Sequence, residues 1–422
     1  MFSFNDFFQL TEMIIQSFIR IIFTSQDAVF FWLIVFFLAM QYDRMQKSKE
    51  AWFGSSGEPT WQHITMAVAS GLIGGLVGSF LMVFVGINLA DIGIGWLWLL
   101  AVLLMLFHPR FLCFSYAGGI ISVSSLIFGF PRINVPQLMA LVALLHMIEA
   151  LLIYISGHIG AVPVYIRNKA GQVIGAFNLQ KIWPIPIVAL AVMNIPLEQL
   201  TGSFINMPDW WPLIKPGHHM DPDQLTYVLF PVIAALGYGD LAATTRPQEK
   251  SRKSSLNLFI FSFTLMTLAV LSSYFSPAAL IAALFSPLGH ELVIWWGQRG
   301  ELKGKPLYVQ PERGVRVLDV FRDSPAAQLG LASGDVIINV NGWEVNSKAA
   351  FHHALEESWG VVEVEWRKYP AETFHRNTVR KNLSQDFGII LAPGAYDQPM
   401  VEFSAGGILK RLILKKFGKK FK

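Results

Sequence analysis

Apolar runs long enough to cross a bilayer recur through the first 300 positions of this 422-residue chain, and they limit what it can fold into. A spanning helix needs roughly 17 to 25 such residues. Spans are expected near 27–43, 63–88, 92–107, 111–130, 135–157, 184–200, 224–243, 256–273 and 275–297. The third and sixth are short or interrupted by proline, which leaves eight or nine. Only 15% of the residues are charged, against about a quarter in an ordinary soluble domain.

The loops between these runs carry a second pattern, because short cytoplasmic loops collect Lys and Arg. Arg44, Lys47 and Lys49 follow the first run, and Arg110 follows the third. Arg167, Lys169 and Lys181 follow the fifth, and Arg246, Lys250, Arg252 and Lys253 follow the seventh. Arg299, Lys303 and Lys305 follow the ninth, whereas the alternating loops hold only Arg132 and Lys215. This places the N-terminus outside and everything after residue 298 in the cytoplasm. Residues 1–26 mix Asp6, Glu12 and Arg20 with aromatics, which suits an interfacial amphipathic segment better than a signal peptide. Residues 161–186 alternate apolar and polar around "NKAGQ" and read as a cytoplasmic β-hairpin inside the membrane domain 27–300. The Trp- and Pro-rich loop 205–224 suits the headgroup region.

From about residue 306 the composition turns soluble. Ser324-Pro325-Ala326, Gly330-Leu331, Gly334-Asp335 and Asn341-Gly342 stand at the spacing of a bacterial PDZ domain, expected over 306–394. Pro325 opens a short helix capped by Ser324. Gly334 and Asp335 turn into the strand "VIINV", and Asn341-Gly342 makes a hairpin turn. Such domains add an extended peptide as a strand beside their second helix. Phe387, Gly388, Ile389 and Ile390 are the candidate peptide-binding strand, with a closing core strand as the equal alternative. In the tail, 405–422, apolar residues gather on one helical side. Lys410, Arg411, Lys415, Lys416, Lys419 and Lys420 mostly fall opposite, a pattern for a helix on anionic phospholipid. Without the seven basic residues of this tail the net charge of +4 becomes about −3, so the basic balance is local and does not indicate nucleic acid.

Ionisable groups inside spans are costly and face the protein interior. The notable ones are His146 and Glu149, three residues apart on one helix face, Asp240, and the pair His290-Glu291. A site-2-like intramembrane metalloprotease, or an inactive relative of one, is the main alternative function. It needs a second histidine four residues after the first, plus a distant Asp. Ile294 stands where that histidine would be. His146, Glu149, His290 and Glu291 therefore read as a hydrogen-bonded packing cluster, with no metal, no cofactor and no catalytic residue expected. Pro287 and Gly289 just before His290 predict a kinked or broken helix. The single cysteine, Cys113, excludes an intrachain disulfide framework. A transporter would need a continuous polar path, which these scattered residues do not supply.

Taken in order, the N-terminal segment, "LHMIEALLIYISG", "IGAFNLQKIWPIP", "SPLGHEL" and the terminal PDZ pattern resemble the MinJ family of polytopic, PDZ-containing division-site proteins of Gram-positive bacteria. The resemblance implies a polytopic α-helical membrane domain and a C-terminal PDZ domain (α+β, partly open β-barrel); the basic amphipathic helix that follows is read from the tail's own pattern and does not map onto the family. It implies a non-enzymatic scaffold of the Min system in the plasma membrane, enriched at septum and poles. Its implied partners are a DivIVA-like division scaffold and a MinD-like inhibitor.

Overall fold

The computed structural model describes residues 3–400 apart from positions 25, 206 and 359 and residues 55–58, 194–204, 217–225 and 383–384. The basic residues Lys410, Arg411, Lys415, Lys416, Lys419 and Lys420 thus lie outside the described residues.

Helix α1 (Phe4–Phe23) starts with a capping box. Asp6 N–H donates to Ser3 Oγ at 3.2 Å, and Ser3 N–H donates to the Asp6 carboxylate at 2.7 Å. Helices α2 (Asp27–Phe53) and α3 (Thr60–Val85) follow. The buried stripe of α1, Leu10, Ile14, Phe18 and Ile21, clusters with Phe31 of α2 and Val83 of α3. The Phe7 and Phe84 rings stand 6.1 Å apart, and Phe18 lies against Gly75.

Helices α4 (Ile94–Phe107) and α5 (Phe114–Phe128) meet at a 3-10 turn, Pro109–Leu112. At 14 and 15 residues they measure about 21–23 Å, short of a hydrocarbon core of about 30 Å. Helix α6 (Val135–Ser156) is the hub and is buried along most of its length. Helices α7 (Pro247–Ser272) and α8 (Pro277–Lys303) pack beside it. Among the described residues five helices, α2, α3, α6, α7 and α8, are long and apolar enough to cross a membrane. Helix α8 runs unbroken through Pro287 to Lys303, so of the kink or break expected before His290 the break does not occur. Gly119 of α5 leaves room for the Pro287 ring, and the Ala283 carbonyl, whose helical donor Pro287 removes, faces the same glycine.

Two segments expected as membrane helices are strands. β1 (Val162–Arg167), β2 (Val173–Met193) and β3 (Thr226–Ala242) form an antiparallel sheet in that order. The expected spans 184–200 and 224–243 are therefore extended over their described parts, inside β2 and β3, up to Ala242. Pro184, Pro186 and Pro231 cannot supply helical N–H donors, and Gly237 and Gly239 weaken a helix further.

Past Asn178, β2 has no β1 residue opposite it, and its second edge faces α3. Bare backbone groups there would be costly in apolar surroundings. Val188 N–H donates to Ser79 Oγ at 2.8 Å, Leu89 N–H to the Leu190 carbonyl at 2.9 Å, and Val192 N–H to Asn88 Oδ1 at 2.9 Å. The earlier residues of the same alternating set are Pro184 and Pro186, which have no N–H to satisfy. Glycines let the strand come close. A Cβ on Gly71 or Gly75 would stand 2.2 or 2.1 Å from the Pro184 or Pro186 carbonyl oxygen. Gly74 and Gly78 admit Leu152 and Ile148 of α6 on another side.

The C-terminal unit comprises β4 (Val315–Val320), α9 (Pro325–Leu329), β5 (Val336–Val340), β6 (Trp343–Glu344), α10 (Lys348–Glu356), β7 (Gly360–Lys368), β8 (Thr373–Lys381) and β9 (Ile389–Leu391). Its sheet order is β8-β7-β5-β4-β9, with β6 on β5. Val317, Ile337, Val340, Phe351 and Val364 fill its core. The unit is docked on the membrane domain. Gly175 N–H donates to the Tyr308 carbonyl at 2.8 Å, and Leu307 N–H to the Ala243 carbonyl at 2.9 Å. Arg246 reaches the Tyr369 carbonyl at 2.9 Å, and Lys49 pairs with Asp319 at 3.3 Å.

Candidate functional site

Two places bring sequence-singled residues together: the outer edge of the C-terminal sheet and a polar centre between helices. At the sheet edge, the turn residues hold the frame. Ser324 Oγ caps α9 through Ala327 N–H at 3.2 Å, and Pro325 occupies its first turn. Gly334 takes φ +92° ahead of β5. Asp335 accepts from Ala332 N–H and Tyr369 N–H at 3.0 Å each, and pairs with Lys368 at 3.2 Å. Asn341 and Gly342, at φ +49° and +84°, make the β5–β6 turn.

The strand β9 is terminal in the sheet. Phe387 is buried against Phe351 of α10, ring centroids 5.9 Å apart, so it serves the core. Gly388 takes φ +75° and gives its carbonyl to Phe321 N–H at 2.9 Å. Ile390 packs toward the β1–β2 hairpin rather than into the C-terminal core. Ala392 N–H bonds to Arg316 of β4, so alternation turns the backbone of Ile389 and Leu391 to the open edge where an added strand would pair. One of those groups is already engaged: Tyr165 of β1 donates its hydroxyl to the Leu391 carbonyl at 2.7 Å. Lys348 at the start of α10 donates to that same hydroxyl at 2.8 Å and to Asp397 at 2.6 Å. Burial pushes the Asp397 carboxyl up, but Lys348 and the Gly394 N–H outweigh it and hold it below the usual carboxylate value. Burial also pushes the Tyr165 phenol up, so it stays a donor.

In the polar centre, the expected four-residue cluster divides. His290 and Glu291 are neighbours in sequence, but on a helix they point about 100° apart. Glu291 turns to the α4–α5 corner, accepting from Tyr116 at 2.7 Å and pairing with Arg110 at 3.2 Å. His290 turns to His146, with ring centroids 5.1 Å apart. The third member is Cys113 at that same corner, whose Sγ lies 3.1 Å from His146 Nε2 and 3.7 Å from His290 Nε2. Glu149 stands outside this trio. Asp240 lies elsewhere, at the base of β3, where it pairs with the buried Lys250 at 3.2 Å.

Sequence reasoning missed Cys113, Tyr165 and Lys348. A lone cysteine 33 positions from one histidine and 177 from the other has no local spacing that signals a site. Tyr165 and Lys348 matter only because the hairpin and the C-terminal unit meet.

Residues 298–359 match the PDZ domain family. Over 80% of its length the chain is 25% identical to the cell division topological determinant MinJ of Bacillus subtilis, covering 85% of that protein. The PDZ domain of an SdrC-like protein from Listeria monocytogenes is 23% identical over 20% of this chain and 90% of that one, with a TM-score of 0.17. The chain is thus a MinJ-like protein with a PDZ domain.

Proposed function

We propose that this chain is a membrane-anchored adaptor of division-site selection that holds partner proteins through its PDZ edge. The likeness to a named division determinant along most of the chain carries this reading. The open backbone of Ile389 beside α10 supports capture of an extended partner segment. In this reading the PDZ end of the molecule faces the cytoplasm. Lys49, Arg246 and Lys250 gather at that end, whereas Lys215 sits at the other, over Tyr274, which agrees with the basic-loop rule. The partners are a DivIVA-like scaffold and a MinD-like inhibitor, with the basic tail resting on anionic phospholipid. A fluorescent fusion in a Gram-positive host is expected at septa and poles. Uniform circumferential signal would sink the assignment.

A further inference from the structure

We propose that Cys113, His146 and His290 form a metal site for an ion that prefers thiolate and imidazole, zinc(II) or copper(I). The three come from separate elements, the α4–α5 corner, α6 and α8, and their ligand atoms all lie within 4.8 Å of one another. A tetrahedral ion with bonds of about 2.3 Å to sulfur and 2.0–2.1 Å to nitrogen holds those atoms about 3.5 Å apart. The observed sulfur–nitrogen distances, 3.1 and 3.7 Å, lie on either side of that value.

The surroundings favour ligation over a hydrogen-bonded trio. His146 Nδ1 lies 2.7 Å from the Val142 carbonyl and donates to it, which directs the Nε2 lone pair at the centre. His290 Nδ1 is buried and has no hydrogen-bond partner, so this ring's polar contact is made by Nε2, which it turns toward Cys113 Sγ at 3.7 Å. Phe261 stands 5.6 Å from both imidazole rings, and Tyr116 stands 5.3 Å from His290, closing the site with aromatic faces. Glu291 is committed to Arg110 and Tyr116, so the donor set is one sulfur and two nitrogens. Binding releases the thiol proton and leaves a thiolate with two neutral imidazoles. That set neutralises copper(I) and leaves zinc(II) one positive charge. The ion would staple the corner to α6 and to α8, the helix that leads into the PDZ domain.

The test uses the full chain in detergent under reducing conditions, loaded with Zn²⁺ in one arm and with buffered Cu⁺ in the other, then desalted. About one equivalent of one ion per chain is expected, falling at least about tenfold in Cys113→Ser and in His146→Gln and unchanged in Glu291→Gln. The arm that retains metal identifies the ion. Less than about a tenth of an equivalent in both arms, or an equivalent that survives Cys113→Ser, overturns the site. If the variants aggregate, the wild-type chain decides. Bound metal is expected to slow maleimide alkylation of Cys113 at least about tenfold, and equal rates with and without metal overturn the proposal.

Discussion

Gly388 sits at φ +75°, and a Cβ there would stand 2.2 Å from the Ser324 Cβ. Both the backbone and the space demand glycine at this position. Gly388→Ala is expected to destabilise the PDZ domain by about 1–3 kcal/mol, measurable by denaturant unfolding. Gly171 at φ +83° has open space around it, so Gly171→Ala meets only the backbone cost, on the order of 1 kcal/mol. Asp397 supplies a pH prediction. Its folded carboxyl titrates below the usual value of 3.8, so the Lys348 contact contributes fully above roughly pH 4 and is lost as pH falls through the lower folded value. Below that pH, and in Asp397→Asn at neutral pH, hydrogen exchange at the Met400 amide, which bonds to the Tyr165 carbonyl at 2.9 Å, is expected to speed up. Unchanged protection would show that the contact does not help to hold the domain. Residues of this kind were unevenly legible. Ser324 and Pro325 announce a capped helix through neighbours in sequence, whereas Cys113 acquires meaning only when α6 and α8 close around it.

Strands β2 and β3 show where element-level reading stops. Hydropathy registers apolar length and says nothing of backbone geometry, so a buried strand and a spanning helix score alike. The distinguishing marks were present as the prolines of "WPIPIV" and the glycines of "ALGYGD". Their force comes from α3, whose Gly71 and Gly75 accept the strand and whose Ser79 hydroxyl serves Val188 N–H. Ser79→Ala orphans that N–H and is expected to cost about 1–3 kcal/mol. Pro186→Val puts a backbone donor on the edge that faces α3 and is expected to cost a similar amount. Thermal unfolding of the full chain in detergent reads both. An unchanged midpoint in both would mean that water reaches this edge.

At the scale of the molecule, the PDZ motifs were readable because their turns depend on local chemistry, and the domain match at 298–359 agrees. Its docking was not readable, since the contacts join α2, the hairpin and the start of α7 to residues more than 100 positions away. Tyr165→Phe removes the hydroxyl that occupies the Leu391 carbonyl. One hydrogen bond is worth about 0.5–1.5 kcal/mol, so partner capture from crosslinked membranes is expected to rise about two- to tenfold. A fall would show that the hairpin builds the groove rather than covering it.

The segment from α8 to β4 has a further consequence. Leu307 and Tyr308 are fastened to Ala243 and Gly175, and the Tyr308 side chain is fully buried. A domain on a loose tether sweeps a volume, and its reach sets the effective concentration of whatever it can grasp. Fastened here, the domain keeps one heading relative to the helices. A captured partner would then stand at a set distance and angle, so geometry rather than reach would select the assemblies it can join.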